Sequence, residues 1–384
     1  MSSGPEIQQS NHADLVARLE AIWSRMLGMS AIAPDDNFFD LGGDSLIAVN
    51  LFLEIERETG IKLPITLIYD APTIEALANV IAGETAAPKF SPLVLLKAGD
   101  NSAPLFIVHG IGGTVMEFAA LGRAIRIPSP VYAVQAQGLD GVQPPLESID
   151  EMAALYLDHL RALQPEGPYR LSGYSFGGLV ALEMARRLRR ENLETAPPVL
   201  IDAYAHPSTW PRISRLKMRA RRTLHLAGRL AHKPLRQSLP SVFAKLRPFA
   251  PRKDAGTRLR DWLLDQNPDL PAPLLRVREA GSVALAHYMP NYYPGKIVFL
   301  KASRPDPEFP DDPERIWSSL VRKLDIHIVP GRHRTMVGDH ATELADHLSS
   351  VVLAASSRRD RKRGAGAGSR DSTKSKTSLQ PQAV

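Results

Sequence analysis

Two serines in this sequence lie in patterns that could support chemistry. Ser175 lies in the stretch GYSFGG, and Ser45 lies in FFDLGGDSLIAVN. The first stretch contains G-x-S-x-G, a pattern in which glycines flank a nucleophilic serine on a strained strand-to-helix turn that leaves no room for side chains. The flanking segments PYRLS and GGLVALEMARRL are typical of a strand and a helix. We predict that Ser175 is a catalytic nucleophile; the alternative is a glycine-rich turn without chemistry.

A serine nucleophile needs a base, and the base needs an acid that orients it. His333 follows the last predicted strand directly, whereas His327 lies inside that strand and His340 lies further along. We therefore predict that His333 is the base. Asp202, at the end of the strand in PVLIDAY, and Asp306, in RPDP after the next strand, compete as the acid. We favour Asp202, because RPDP is also typical of an ordinary turn.

The stretch FIVHGIGGT is predicted to complete the site with hydrogen-bond donors. A glycine-rich loop after an early strand can donate one backbone N–H to an oxyanion, and the residue after the nucleophile donates the other. Ile111, or its neighbour Gly110, would donate from the loop and Phe176 from the nucleophile turn. His109 precedes the serine, so we expect it to shape the loop instead of acting as a base.

These residues need a scaffold that brings distant strand ends together. Six short apolar runs alternate with helical stretches after residue 93: PLFIVHG, VYAVQAQG, YRLSGYS, PVLIDAY, KIVFLKA and LDIHIVPG. This alternation predicts a mainly parallel sheet covered by helices on both faces, as in an α/β hydrolase. The spacing breaks between the fourth and fifth runs. The segment at about 205–290 is therefore predicted to be a helical lid inserted over one end of the sheet.

The preceding part of the chain has a different pattern, with apolar residues at helical spacing. We predict a small four-helix domain over 10–84, including a helix from Ser45 to Thr59, then an Ala/Pro-containing linker over 85–92. The α/β domain would cover 93–354. Residues 355–384 are rich in charge and poor in apolar residues, which predicts a disordered basic tail.

Composition excludes several classes of chemistry. None of the 384 residues is cysteine, so disulfides, cysteine-ligated metals and thiol catalysis are ruled out. No apolar run approaches the roughly 18 residues of a membrane helix, and no signal peptide is evident, so we expect a cytoplasmic protein without a membrane partner. Residues 1–84 carry 13 acidic and 4 basic residues, whereas 211–260 carry 15 basic and 1 acidic. This asymmetry predicts contact between the two domains; without interleaved aromatic residues, nucleic acid is not the expected partner.

The letters GDSL around Ser45 also occur in a family of serine esterases, but that interpretation fails. Ser45 lacks the trailing glycine of the nucleophile turn, and no histidine follows an aspartate by three residues, as those esterases require. The stretch DNFFDLGGDSL instead resembles the attachment site of peptidyl carrier domains in nonribosomal peptide synthetases. The resemblance implies that a phosphopantetheinyl transferase attaches 4′-phosphopantetheine to Ser45. The alternative is that Ser45, or Asp44, merely caps a helix.

With a carrier domain in front, the second domain resembles the type I thioesterases that end such assembly lines. The resemblance covers nearly all of residues 10–350. It implies release of an acyl or peptidyl chain, by hydrolysis or cyclisation, through an ester on Ser175. The alternatives are an editing thioesterase, for which Asp306 would be the more usual acid, and a non-catalytic carrier or docking protein. The chain would be loaded by separate enzymes or would end a longer synthetase with upstream modules.

Overall fold

The computed structural model describes residues 5–85, 90–205, 210–218, 220–221, 270–306 and 309–355. The predicted tail beyond residue 355 and most of the predicted lid lie outside these residues. The described parts of the lid region contain helix at 212–218, at 220–221 and at Ala272–His287. In the described part of the chain, no helix combines the length and apolar character needed to cross a membrane.

The first part of the chain folds into four helices. They are α1 (Pro5–Leu27), α2 (Ser45–Thr59), α3 (Leu67–Asp70) and α4 (Ile74–Ile81). The Thr73 side chain begins α4 by accepting a 3.1 Å hydrogen bond from the Ala76 N–H, which satisfies a donor at the helix start. Trp23 and Phe38 are fully buried and meet edge to face at the centre of this domain. The predicted helical carrier-type domain is confirmed.

The second part is built on a seven-stranded sheet in the order β1-β3-β2-β4-β5-β6-β7. The strands are β1 (Leu93–Lys97), β2 (Leu105–Val108), β3 (Val131–Val134), β4 (Arg170–Tyr174), β5 (Val199–Ile201), β6 (Tyr293–Ala302) and β7 (Val321–Val329). All neighbours pair in parallel except β1, which runs antiparallel to β3. The mainly parallel sheet is confirmed, and β1 is an edge strand that the sequence pattern did not predict.

Helices cover both faces of this sheet, because central parallel strands must be shielded from water on both sides. They are α5 (Ala119–Ala124), α6 (Ile149–Leu163), α7 (Phe176–Arg190), α8 (Ala272–His287), α9 (Pro313–Trp317) and α10 (residues 341–355). Two apolar clusters form the core, one on each face. The cluster with α6 and α7 includes Phe106, and the cluster with α5 and α10 includes Ile107.

A third apolar cluster continues from the helical domain into the α/β domain. Phe39 packs against this cluster, and its backbone oxygen accepts a 3.1 Å hydrogen bond from Arg123. The same guanidinium lies 3.6 Å from the carboxylate of Asp40. The α/β domain contributes the buried residues Met116, Ala136, Leu139, Leu274 and Val277. The two domains therefore share a core and an ion pair, although the predicted basic partner segment, 211–260, lies mostly outside the described residues.

Candidate active site

Ser175 lies at the turn between β4 and α7, held in an unusual backbone conformation. Its φ of 53° and ψ of −117° place it in a sharp turn, and its N–H donates to the Ile201 oxygen of the neighbouring strand at 2.8 Å. A Cβ on Gly173 would lie 2.1 Å from the Gly177 oxygen, and a Cβ on Gly177 would lie 2.2 Å from the His109 oxygen. Both flanking glycines are therefore required sterically, as the sequence pattern predicts.

A chain of hydrogen bonds joins Ser175 to the predicted base and acid. The Ser175 hydroxyl lies 3.0 Å from Nε2 of His333, and Nδ1 of His333 lies 2.8 Å from Oδ2 of Asp202. His333 and Asp202 are almost completely buried, with 4% and 3% of their surfaces exposed. Nδ1 must carry a proton to bond the carboxylate, which leaves the Nε2 lone pair facing the serine. This is the arrangement in which a histidine can remove the hydroxyl proton.

Asp202 is fixed by further bonds to its other oxygen. Oδ1 accepts hydrogen bonds from the Ala302 N–H at 3.3 Å and from the Tyr204 hydroxyl at 3.4 Å. Burial and the nearby carboxylate raise the pKa of Tyr204, so its hydroxyl keeps the proton that it donates. Asp202 is thus the partner of His333 Nδ1, and the competing acid, Asp306, lies in a turn in which its backbone oxygen accepts from the Phe309 N–H at 3.1 Å.

The two other candidate histidines lie near other carboxylates. His327 is on β7, 3.6 Å from Asp325, and His340 is 3.5 Å from Glu343. The three residues that meet come from the carboxyl ends of different parallel strands, β4, β5 and β7. These ends lie at one edge of the sheet, which is where open α/β sheets place their sites.

Both predicted oxyanion donors lie beside the nucleophile turn. Phe176 is the first residue of α7, where backbone N–H groups have no acceptor within the helix. The Ile111 N–H makes no hydrogen bond to another backbone group in the described turns and loops, whereas the Gly113 N–H donates to the Gly110 oxygen and closes the loop. Both amides therefore remain candidates for oxyanion donors. The donor roles of Phe176 and Ile111 stay predictions.

His109 holds the loop that contains Ile111. Nδ1 of His109 bonds the Gly110 oxygen, and Nε2 lies 2.8 Å from the Tyr156 hydroxyl. Burial lowers the pKa of His109 to about 4 and raises that of Tyr156, so the ring is neutral and the phenol protonated near pH 7. The carbonyl oxygen can only accept, so Nδ1 donates to it and Nε2 accepts from Tyr156. Both ring nitrogens are occupied in this structural arrangement.

Two aromatic rings stack on His333, and neither contact was predicted from the sequence. Tyr174 stacks at a centroid distance of 5.1 Å, and Phe309 stacks at 3.6 Å. The Tyr174 hydroxyl also donates to the His333 backbone oxygen at 2.8 Å. Tyr174 precedes the nucleophile, so its position in GYSFGG was a usable signal. Phe309, in PEFP, carries no pattern that would link it to a histidine 24 positions later.

A small, partly open pocket adjoins the loop of Ile111. Its lining includes His109, Tyr156 and Met152, together with Val277 and Gly281 of α8. Helix α8 packs closely on the loop, because a Cβ on Gly113 would lie 2.3 Å from the Val277 side chain. The described end of the lid region therefore forms a wall of this pocket.

Ser45 is the first residue of α2 in the helical domain. The capping role is filled by Asp44, whose Oδ1 accepts a 2.8 Å hydrogen bond from the Ile47 N–H. A helix start provides free N–H groups and a positive dipole end, both of which suit the phosphodiester of 4′-phosphopantetheine. A Cβ on Gly43 would lie 2.3 Å from the buried Phe38 ring, which explains why glycine precedes this turn. The attachment-site motif therefore agrees with its structural setting.

The fold and site define an α/β hydrolase preceded by a helical carrier domain. Residues 17–81 match the family model for a phosphopantetheine attachment site, and residues 103–252 match that for a thioesterase domain. The chain therefore carries a phosphopantetheine attachment domain followed by a thioesterase domain, a combination found in nonribosomal peptide synthetases.

Curated relatives support the same assignment. A dimodular nonribosomal peptide synthase of Bacillus subtilis is 36% identical over 183 residues, which cover 48% of this chain and 8% of the relative. An indigoidine synthase of Dickeya dadantii is 39% identical over 168 residues, covering 44% of this chain and 11% of the relative. The chain thus spans about a tenth of the length of these two proteins.

A solved structure is similar over most of the chain. It is a four-domain nonribosomal peptide synthetase bound to AMP and glycine, with 27% sequence identity and a TM-score of 0.54. The similarity covers 88% of this chain and 26% of that one. Both the carrier-type domain and the hydrolase domain therefore have counterparts in that synthetase.

Proposed function

We propose that this chain releases an acyl or peptidyl group that is held as a thioester on its own carrier domain, using Ser175, His333 and Asp202 as a catalytic triad. The observation that carries the proposal is the continuous hydrogen-bond chain from the Ser175 hydroxyl through His333 to Asp202. Its presence in a thioesterase domain that follows a phosphopantetheine attachment domain supplies the substrate class.

Ser45 holds the prosthetic group in this proposal. 4′-Phosphopantetheine, attached there by a phosphopantetheinyl transferase, supplies a thiol on a flexible arm, and the acyl thioester of that thiol is the substrate. The shared apolar cluster around Phe39 holds the carrier domain against the thioesterase domain. Upstream synthetase modules, or a loading enzyme, would deliver the acyl group. The lack of cysteine agrees with action in the cytoplasm, where protein stability does not depend on disulfides.

Acylation begins when His333 Nε2 removes the Ser175 hydroxyl proton and the oxygen attacks the thioester carbonyl carbon. Asp202 holds Nδ1–H and stabilises the imidazolium that forms. The N–H groups of Phe176 and Ile111 stabilise the negative oxygen of the tetrahedral intermediate. The C–S bond then breaks, His333 returns the proton to the leaving sulfur, and an ester on Ser175 remains.

Deacylation uses the same groups in the reverse order. His333 removes a proton from water, or from a nucleophile within the acyl chain, and the new oxygen or nitrogen attacks the ester carbonyl. The Ser175 oxygen leaves and takes the proton back from Nε2. Water gives a free acid, and an internal nucleophile gives a ring. Which of the two products forms depends on how far the site excludes water.

Intact-protein mass spectrometry tests the proposal on the full chain loaded with a synthetic acyl-phosphopantetheine. The wild type should lose the acyl mass from Ser45, whereas Ser175→Ala should load equally and retain it. Ser45→Ala should accept no prosthetic group and serves as the loading control. Loss of the acyl group at an undiminished rate from Ser175→Ala would leave a carrier and docking role as the better explanation. Identification of the released product separates hydrolysis from cyclisation.

A further inference from the structure

We propose that Phe309 is a positioning residue for release: its ring face stabilises His333 in the positively charged state that forms during attack by Ser175. The inference rests on the proposed function, because it assigns a role within the same triad. It concerns the loop after β6, which holds the competing acid Asp306. This loop contributes an aromatic face to the histidine.

The geometry of the Phe309 ring favours a charged partner. Its centroid lies 3.6 Å from that of the His333 ring, and the two planes are only 20° apart. Two neutral aromatic rings avoid such direct overlap, because the electron-rich faces repel, and they prefer offset or edge-on contacts at about 4.5–7 Å. A cation over a ring face within about 6 Å is instead attracted by the ring quadrupole. Full overlap at short distance therefore suits an imidazolium.

Tyr174 covers the opposite face, which leaves His333 little freedom to rotate. Its ring stacks 5.1 Å away at an interplanar angle of 26°, and its hydroxyl holds the His333 backbone oxygen. Tyr174 is itself almost buried and meets Phe118 edge to face. Tyr174 covers one face of the imidazole, and both ring nitrogens are hydrogen-bonded. Without Phe309, the remaining face of the imidazole would be free to move or to contact water.

The backbone of the loop presents Phe309 in this position. The Phe309 N–H donates to the Asp306 oxygen at 3.1 Å, which closes a turn after the end of β6. The Phe309 side chain is partly exposed, so it is not a residue on which the core of the fold depends. Substitution at this position can therefore test the chemistry without unfolding the domain.

The test replaces Phe309 in the full, loaded chain and measures acyl release in single turnovers. Phe309→Leu keeps an apolar side chain without a π face, and Phe309→Tyr keeps the face. Cation–π contacts of about 0.5–2 kcal/mol correspond to about a 2- to 30-fold effect on rate. We expect Phe309→Leu to lower kcat within that range with little change in KM, and Phe309→Tyr to stay within about twofold of the wild type.

Fluorinated phenylalanines at position 309 separate electrostatics from shape. Each added fluorine weakens the negative ring face while the ring is retained, so log kcat should fall steadily from phenylalanine to its mono-, di- and trifluoro forms. Reaction of Ser175 with a sulfonyl fluoride, which needs the same base but no acyl substrate, should slow in parallel.

Flat rates across the fluorinated series, or an effect confined to KM, would overturn this role for Phe309, because either result would make the ring a wall of the substrate site. Those results would leave the proposed function standing as long as Ser175→Ala still blocks release. If Ser175→Ala released the acyl group normally, the triad itself would be wrong, and the two failures are therefore distinguishable.

Discussion

Replacement of Asp202 by asparagine should reverse the tautomer of His333. The Oδ1 position faces two donors, the Ala302 N–H and the Tyr204 hydroxyl. The asparagine oxygen therefore belongs at that position, and its NH₂ group occupies the place of Oδ2, 2.8 Å from Nδ1 of His333. Because NH₂ can only donate, Nδ1 must lose its proton and Nε2 must carry it. Nε2 then presents an N–H to Ser175 and cannot accept the hydroxyl proton.

The expected loss is about 10⁴-fold in kcat, or about 5 kcal/mol of transition-state stabilisation, which is the size of effect seen when a triad histidine is held in the wrong tautomer. Single-turnover release from the loaded carrier domain measures it, and a thermal melt checks that the variant remains folded. Asp306→Asn is the matched control and should stay within about threefold of the wild type. If Asp202→Asn kept more than a tenth of the activity while Asp306→Asn lost most of it, the acid would be Asp306 and our derivation would be refuted.

Three further predictions concern the surroundings of the site. Gly177→Ala should prevent normal folding or activity in thermal melts and acyl-release assays, because its Cβ would lie 2.2 Å from a backbone oxygen. Gly338→Ala is the control and should behave like the wild type, because a Cβ there would meet no atom within 4 Å. Glu183→Leu should lower the free energy of unfolding in urea by about 3–5 kcal/mol, because it removes the carboxylate that pairs with the buried Arg186. The double variant Glu183→Leu with Arg186→Leu should recover much of that loss. If the single and double variants lost equal stability, the effect would not come from the charge of Arg186. Burial lowers the pKa of His109 from 6.5 to about 4, so between pH 7 and pH 5 the unfolded chain binds a proton there that the folded chain does not, and the free energy of unfolding falls by about 2 kcal/mol. In His109→Gln this part of the fall should be missing from urea unfolding measured at the two pH values. An identical fall would contradict a buried, neutral His109.

Much of the site was predictable because its chemistry imposes local sequence patterns. The glycines around Ser175 are demanded by contacts with backbone atoms, which no other residue type could tolerate. The carrier motif at Ser45 is equally local. Asp202 and His333 needed one more step, since parallel strands bring their carboxyl ends to one edge of the sheet. The strand pattern supplied that step, and the structure brings both side chains to Ser175.

Other features were out of reach because they depend on contacts between distant segments. Strand β1 lies at the sheet edge and is only partly buried, so burial imposes little pattern on its sequence. The Phe309–His333 contact joins two loops, and a single aromatic residue between prolines gives no sign of its partner. The charge asymmetry predicted that the domains touch. It could not show that the described contact is mainly apolar, with Arg123 and Asp40 as an ion pair at its side.

The shared cluster between the two domains bears on how such proteins can be recombined. Met116, Leu139 and Leu274 are buried beside residues of the carrier domain, so each domain supplies part of the other's cover. The linker at residues 85–92 is an obvious place to join a carrier domain from another protein. A chimaera joined there would, however, replace the carrier residues that pack in the shared apolar cluster. Donor carriers for engineered assembly lines would therefore need matching by the residues that face this cluster, Phe39 foremost, and not only by the sequence around the modified serine.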